Sequence, residues 1–190
     1  EMFFSNNKNE LVNKNKALVG RENPINNSLF NEINGLSLNE IPKGYKYIIL
    51  GMGCFWGAEK IFWNLKGVYL TSVGYAGGYT LNPTYDEVCS GLTGHTEVVK
   101  VIYDPTTISL EKIMIYFWEG HNPTQGMRQG NDFGTQYRSA IYTSSSGDLE
   151  VVKETKKEFQ DILKKHDLDK ITTEIKSNII YYFAENYHQQ

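Results

Sequence analysis

Gly51-Met52-Gly53-Cys54-Phe55-Trp56-Gly57 separates two runs of different period. Before it, residues 45–50 read Tyr-Lys-Tyr-Ile-Ile-Leu, with the length and apolar content of a buried strand. After it, Phe55, Ala58, Phe62 and Leu65 recur at spacings of three and four, one face of a helix that continues to Lys66. The seven residues are therefore a strand-to-helix turn, and their glycines let the backbone turn sharply. Cys54 falls at or near a helix N-terminus, where free backbone N–H groups and the helix dipole favour an anion. The thiolate is the nucleophilic form of cysteine, and such positions favour it. A cysteine in a tight turn is ordinarily a small buried residue. The flanking glycines, the helix start and the Phe55-Trp56 pair argue for a nucleophile instead.

Outward from this turn, residues 68–75 form a second strand, and Gly- and Asn-Pro-rich residues 76–94 form a long loop. Residues 97–103 alternate, placing Glu97, Val99, Val101 and Tyr103 on one face. Ser109 caps a helix whose stripe is Leu110, Ile113, Met114 and Phe117. A second long loop, 121–136, leads to a strand at 137–142. A charged helix follows at 147–166, with Leu149, Val152, Phe159 and Leu163 inward. Short strands are expected at 171–175 and 179–183. The order is that of an α+β fold, a two-layer α/β sandwich with a ferredoxin-like β-α-β-β-α-β core, an added helix and edge strands. Residues 1–44, rich in Asn, Lys and Glu, read as an extended N-terminal arm partly ordered by contact, ahead of a domain spanning 45–190.

Composition narrows the function. A formal net charge of -3 over 190 residues, without a Lys/Arg cluster, argues against nucleic acid. Two cysteines exclude a disulfide-dense secreted scaffold. There is no apolar run of membrane-spanning length and no signal-peptide core. The expectation is a cytoplasmic monomer with no membrane partner. No paired ligand spacing such as Cys-x-x-Cys points to a metal.

Gly53-Cys54-Phe55-Trp56-Gly57 resembles the signature of the peptide-methionine (S)-S-oxide reductases, the A-type methionine sulfoxide reductases. So do Gly74-Tyr75-Ala76-Gly77-Gly78, Asn82-Pro83-Thr84-Tyr85, Val88-Cys89-Ser90-Gly91, Gly94-His95-Thr96-Glu97, His121-Asn122-Pro123, Gly134-Thr135-Gln136-Tyr137-Arg138-Ser139 and Ala184-Glu185-Asn186-Tyr187-His188-Gln189-Gln190. The likeness covers about residues 45–190. It implies reduction of methionine S-sulfoxide in proteins, and as the free amino acid, in repair of oxidative damage. It implies that Cys54 is the nucleophile, Glu97 the acid, and Tyr85 and Tyr137 the hydroxyl donors to the sulfoxide oxygen. Phe55 and Trp56 then form the wall receiving the substrate methyl. Asp132 helps set the site and His188 contacts the substrate backbone. No cofactor is implied beyond an external thiol reductant, with thioredoxin as the partner that reduces the Cys54 sulfenic acid.

This sequence departs from the family pattern in having no cysteine beyond Cys89. A trimmed tail bearing resolving cysteines is the expectation, a different recycling route the alternative; Cys89 reads as a small loop residue.

Other readings stay open on the sequence. Gly51-x-Gly53-x-x-x-Gly57 is a poor dinucleotide fingerprint, because Phe55 and Trp56 occupy the phosphate approach and no acid closes the next strand. Cys54 with His95 or His121 would make an amidase or thioesterase. A non-enzymatic module binding oxidised methionine is the fourth reading.

Overall fold

The computed structural model describes residues 7–26 and 36–189. The expected arm therefore lies partly outside the described residues, at 1–6 and 27–35, as does Gln190.

Among the described residues eight strands and four α-helices follow in chain order: β1 (Lys46–Gly51), α1 (Phe55–Phe62), β2 (Val68–Ala76), α2 (Tyr85–Cys89), β3 (Thr96–Tyr103), α3 (Leu110–Gly120), β4 (Arg128–Gln129), β5 (Asp132–Phe133), β6 (Ala140–Thr143), α4 (Ser146–Lys165), β7 (Glu174–Ser177) and β8 (Tyr181–Phe183). The main sheet runs β7-β6-β1-β3-β2-β8. Its inner four strands pair antiparallel, with β3 inserted between β1 and β2, the split β-α-β arrangement expected from the sequence. β7 adds parallel to β6 after the α4 crossover, and β8 adds antiparallel to β2.

One sheet face is covered by helices. Ile48, Leu50, Val73, Tyr75, Val99, Val101, Tyr103 and Ile141 pack there against Phe55, Ala58 and Phe62 of α1 and Ile113, Met114 and Phe117 of α3. Met52 lies in the same core. Each helix presents the stripe its spacing dictates, and burying those stripes supplies most of its stability. The opposite face is covered by chain rather than helix. Leu38 packs there on Leu70 and Ile102, while Tyr47, Ile179 and Tyr181 pack on Ile49, Val98 and Tyr142.

Local readings shift in six places. α1 ends at Phe62 rather than continuing to Lys66, the chain turning there towards β2, and the strand expected at 179–183 is β8, which starts at Tyr181. Residues 76–94 are not all loop, since α2 interrupts them. Residues 121–136 contain the β4–β5 hairpin. The strand expected at 137–142 starts at Ala140, because residues 135–137 form a 3-10 helix. The strand expected at 171–175 is β7, three residues later. The Ile171 N–H donates to Gln160 Oε1 and the Thr172 N–H to Pro123 O, so this backbone is committed to α4 and the neighbouring loop.

The arm is anchored along one side of the domain. Leu18 N–H donates to Leu92 O, Leu81 N–H to Val19 O and Thr135 N–H to Lys8 O. Among the described residues no helix is long and apolar enough to cross a membrane.

Candidate active site

β1 delivers the chain to Gly53, which takes φ 88°, a left-handed conformation natural to glycine. Cys54 follows as the N-cap residue of α1, half-buried, with its carbonyl accepting from Ala58 N–H at 3.2 Å. The turn is closed from outside by the β4–β5 hairpin. A Cβ on Gly53 would stand 2.7 Å from Gln129 Cγ. Gln129 in turn is fixed by both halves of its amide, accepting from Asn122 N–H and donating to Asn122 O. Gly53→Ala is expected to lower stability by about 1–2 kcal/mol from the left-handed conformation alone. It also pushes the hairpin off the turn; unchanged thermal melting would show that the turn has another way to relax.

β3 brings Glu97 to the same place. Its carboxylate is only 2 % exposed, yet it reaches the first turn of α1, where Oε1 accepts from Phe55 N–H at 3.3 Å. Burial raises this carboxyl to about 7, and the charge of Asp132 adds to the rise, while the Phe55 N–H works against both. At neutral pH Glu97 is therefore protonated about half the time. A carboxylic acid able to give up a proton stands one residue from the cysteine.

The two tyrosines arrive on segments pinned separately. α2 begins at Tyr85 and is closed by a capping box between Thr84 and Glu87. The Tyr85 N–H donates to Glu185 Oε2, while Glu185 Oε1 accepts from the Tyr75 hydroxyl. Tyr137 ends the 3-10 helix held by Thr96, whose hydroxyl meets the carbonyls of Gln136 and Arg138. Arg138 donates to Thr135 O and Gly94 O and pairs with Glu174. Burial holds the Tyr137 phenol near 12, and Tyr85 is raised further by burial and by its bond to the Cys89 thiol. Both hydroxyls keep their protons across neutral pH. Tyr137 lies within electrostatic reach of Glu97, Cys89, Asp132 and Cys54.

His188 is buried in an aromatic cluster: Phe55 at 5.3 Å, Trp56 at 5.5 Å, Tyr85 at 4.7 Å and Tyr187 at 4.2 Å between ring centroids. Neither ring nitrogen has a hydrogen-bond partner among the described residues, and burial lowers its pKa. The segment carrying it is fixed by Gln189, whose side-chain amide pairs with both the N–H and the carbonyl of Val73 in β2. Trp56 stands about half exposed at the rim, and Asp132 is exposed on the hairpin. The eight side chains singled out in the sequence thus meet around one end of the β1–α1 turn. Glu185, Gln129 and Cys89 join them unforeseen. Cys89 is not a loop residue but the last of α2, its thiol pushed up by burial. The Thr84-x-x-Glu87 capping signature was the sequence signal that could have placed it.

The competing chemistries fare differently. His95 accepts from Gly78 N–H at Nδ1 and donates to Thr80 O at Nε2. His121 donates to Phe117 O and accepts from the Ser139 hydroxyl. Both rings are occupied and held neutral by burial, with pKa values lowered to about 4, so neither serves Cys54 as a base. The largely antiparallel sheet and the hairpin over Gly53 are unlike a dinucleotide crevice. Among the described residues no cluster of three or more His, Cys, Asp or Glu side chains could hold a metal ion.

Comparison with known proteins bears on the same site. The family model for peptide methionine sulfoxide reductase matches residues 46–190. A peptide methionine sulfoxide reductase MsrA of Photobacterium profundum is 57% identical over 189 residues, covering 98% of this chain and 90% of its own length. The mitochondrial peptide methionine sulfoxide reductase of Mus musculus is 52% identical, covering 95% and 78%. Among solved structures, methionine sulfoxide reductase A of Corynebacterium diphtheriae superposes with a TM-score of 0.90 at 44% identity, covering 95% of this chain and 89% of that one. Mxr1 from Saccharomyces cerevisiae, solved in complex with Trx2, gives 0.53 at 25% identity, covering 77% and 95%. The chain belongs to the peptide methionine sulfoxide reductase family, oxidoreductases that return methionine sulfoxide to methionine.

Proposed function

We propose that Cys54 carries the reduction of methionine S-sulfoxide in oxidised proteins, with Glu97 as its proton donor. The observation that carries this reading is the bond from Phe55 N–H to the Glu97 carboxyl, which puts a buried acid beside the nucleophile. Sulfoxide sulfur is electron-poor and its oxygen is negative. Thiolate attack on that sulfur proceeds only as the oxygen gains a proton, and Glu97 supplies it. The attack joins the Cys54 sulfur to the substrate sulfur; the protonated oxygen then passes to the Cys54 sulfur as the S–O and S–S bonds break, the substrate sulfur takes back an electron pair as methionine, and Cys54 is left as a sulfenic acid. Two thiols then return Cys54 to the thiol with loss of water and formation of a disulfide. The yeast relative's complex with Trx2 supports thioredoxin as the source of those electrons.

The Tyr85 and Tyr137 hydroxyls donate to the same oxygen as its charge develops. Phe55 and Trp56 offer the face on which the S-methyl rests, a sulfur–aromatic contact. Asp132 raises Glu97 from across the opening. We assign His188 the contact to the substrate backbone, its two buried ring nitrogens having no partner among the described residues. Tyr85→Phe and Tyr137→Phe are each expected to slow the single-turnover step by about 10²-fold. If both proceed at the parent rate, the oxygen is held elsewhere.

The reading is tested by a single turnover without reductant, using S- and R-sulfoxide peptides separately. One methionine per chain from the S epimer, with one oxygen gained on the Cys54 peptide, is expected. Methionine formed with Cys54 unmodified, or from the R epimer alone, would overturn it.

A further inference from the structure

The three segments that bring Tyr85, Tyr137 and His188 to the site come from distant parts of the sequence, and one stretch of the arm touches all three. At its start, Lys8 O accepts from Thr135 N–H at 2.9 Å, on the 3-10 helix that ends in Tyr137. In its middle, Leu18, Val19 and Arg21 run beside residues 80–82. Thr80 Oγ1 donates to Leu18 O, Leu81 N–H to Val19 O and Arg21 N–H to Leu81 O. The Arg21 guanidinium then reaches Glu87 Oε1 at 2.8 Å. Glu87 is the carboxylate of the capping box, accepting from Thr84 N–H, so Arg21 holds the group that closes the helix on which Tyr85 is the first residue. Towards its end, Asn26 uses both halves of its amide on the His188 segment. Nδ2 donates to Ala184 O at 2.9 Å, and Oδ1 accepts from Asn186 N–H at 3.2 Å.

The fit along this line is close. Gly20 sits at φ 80° beside Leu81, where a Cβ would stand 2.0 Å from Leu81 O. Among the described residues of the arm, none hydrogen-bonds to Cys54 or Glu97. What they share is a grip on the backbone of each of the three segments.

Resting on the site reading above, we infer that residues 8–26 are a brace for catalysis: Arg21 and Asn26 are positioning residues that fix Tyr85 and His188 against Cys54, and Lys8 O does the same for Tyr137. Alignment of this kind carries large rate effects, since a displacement of about 1 Å can cost 10²-fold. The Arg21–Glu87 pair is partly solvent-exposed, with side chains 40% and 22% accessible, and such a pair contributes little to global stability, so its effect falls on the rate more than on the fold.

The test uses the full chain with Arg21→Ala, Asn26→Ala and the double variant, measured well below their melting temperatures. The single-turnover rate is expected to fall about tenfold in each single variant and further in the double. Alkylation of Cys54 by iodoacetamide should stay at the parent rate, and Arg21→Lys should recover part of the loss. The decisive measurement is coupling. Because Arg21 acts through α2, Arg21→Ala in a Tyr85→Phe background should cost much less than Arg21→Ala alone. Equal losses in the two backgrounds would overturn the brace, as would lowered melting with parent single-turnover rates. Should the double variant fail to fold, the single variants and the coupling carry the test alone. Failure of the site reading looks different: Tyr85→Phe and Tyr137→Phe would then leave the rate intact in the parent chain.

Discussion

Cys54→Ser is expected to form no methionine above background from either epimer, with the fold intact. The oxygen atom explains the size of the effect. Sulfur accepts it as a sulfenic acid, whereas serine oxygen would have to accept it as a peroxide, with a weak O–O bond. The hydroxyl is also far from ionised at neutral pH, so the attacking group is lost as well. The fold has no reason to suffer. Cys54 is the N-cap of α1 and makes no side-chain capping bond there, while serine is among the preferred N-cap residues. Melting at or above the parent temperature, alongside a dead single turnover, is the expected pair of results. Retained turnover would move the nucleophile to another residue.

Glu97→Gln is the second large effect. Glutamine keeps the carbonyl oxygen that accepts from Phe55 N–H and removes the proton that the sulfoxide oxygen needs. Loss of a positioned acid costs about 10²- to 10⁴-fold. The pH profile carries the signature. With Glu97 near 7, the parent single-turnover rate falls on the alkaline side of neutrality as the acid ionises, and the Gln variant lacks that limb. A parent-like rate in the variant would assign the proton to another group. The substitution moves stability the opposite way from rate. The folded carboxyl titrates near 7 against an ordinary value of 4.5, so the fold favours the neutral form. Parent stability therefore declines as pH rises from 4.5 to 7, and the full cost, on the order of 3 kcal/mol, persists above. The Gln variant is expected to melt above the parent at pH 8 and level with it at pH 4.

The β1–α1 turn, the alternation of β3 and the stripes of α1, α3 and α4 were legible because each is long enough for its period to show. That is also why Glu97 could be placed on the face of Val99 and Val101 before its surroundings were seen. α2 has five residues and the β4–β5 hairpin two per strand. Neither is long enough to repeat its hydrophobic period, so both look like loop in the sequence. β7 is a half-buried edge strand whose Lys176 and Glu174 carry no alternation signal; charge on an edge discourages further pairing. Cys54, Tyr85, Tyr137 and His188 were recognised through ordered motifs rather than through any local physical signal. The arm's contacts were the least legible. They run largely through backbone groups and through the side chains of Arg21 and Asn26, whose partners lie 61 or more residues away.

The oxidants that create this enzyme's substrate reach its own chain too. Two of its methionines, Met52 and Met114, are 5% and 0% exposed, one of them in the turn beside Cys54. A sulfoxide at either would force a polar, chiral group into the apolar layer under the site. Packing there is thus a form of self-preservation: the machinery that mends oxidised thioethers keeps these two of its own out of harm's way, while the Cys54 sulfur beside Met52 is only half-buried.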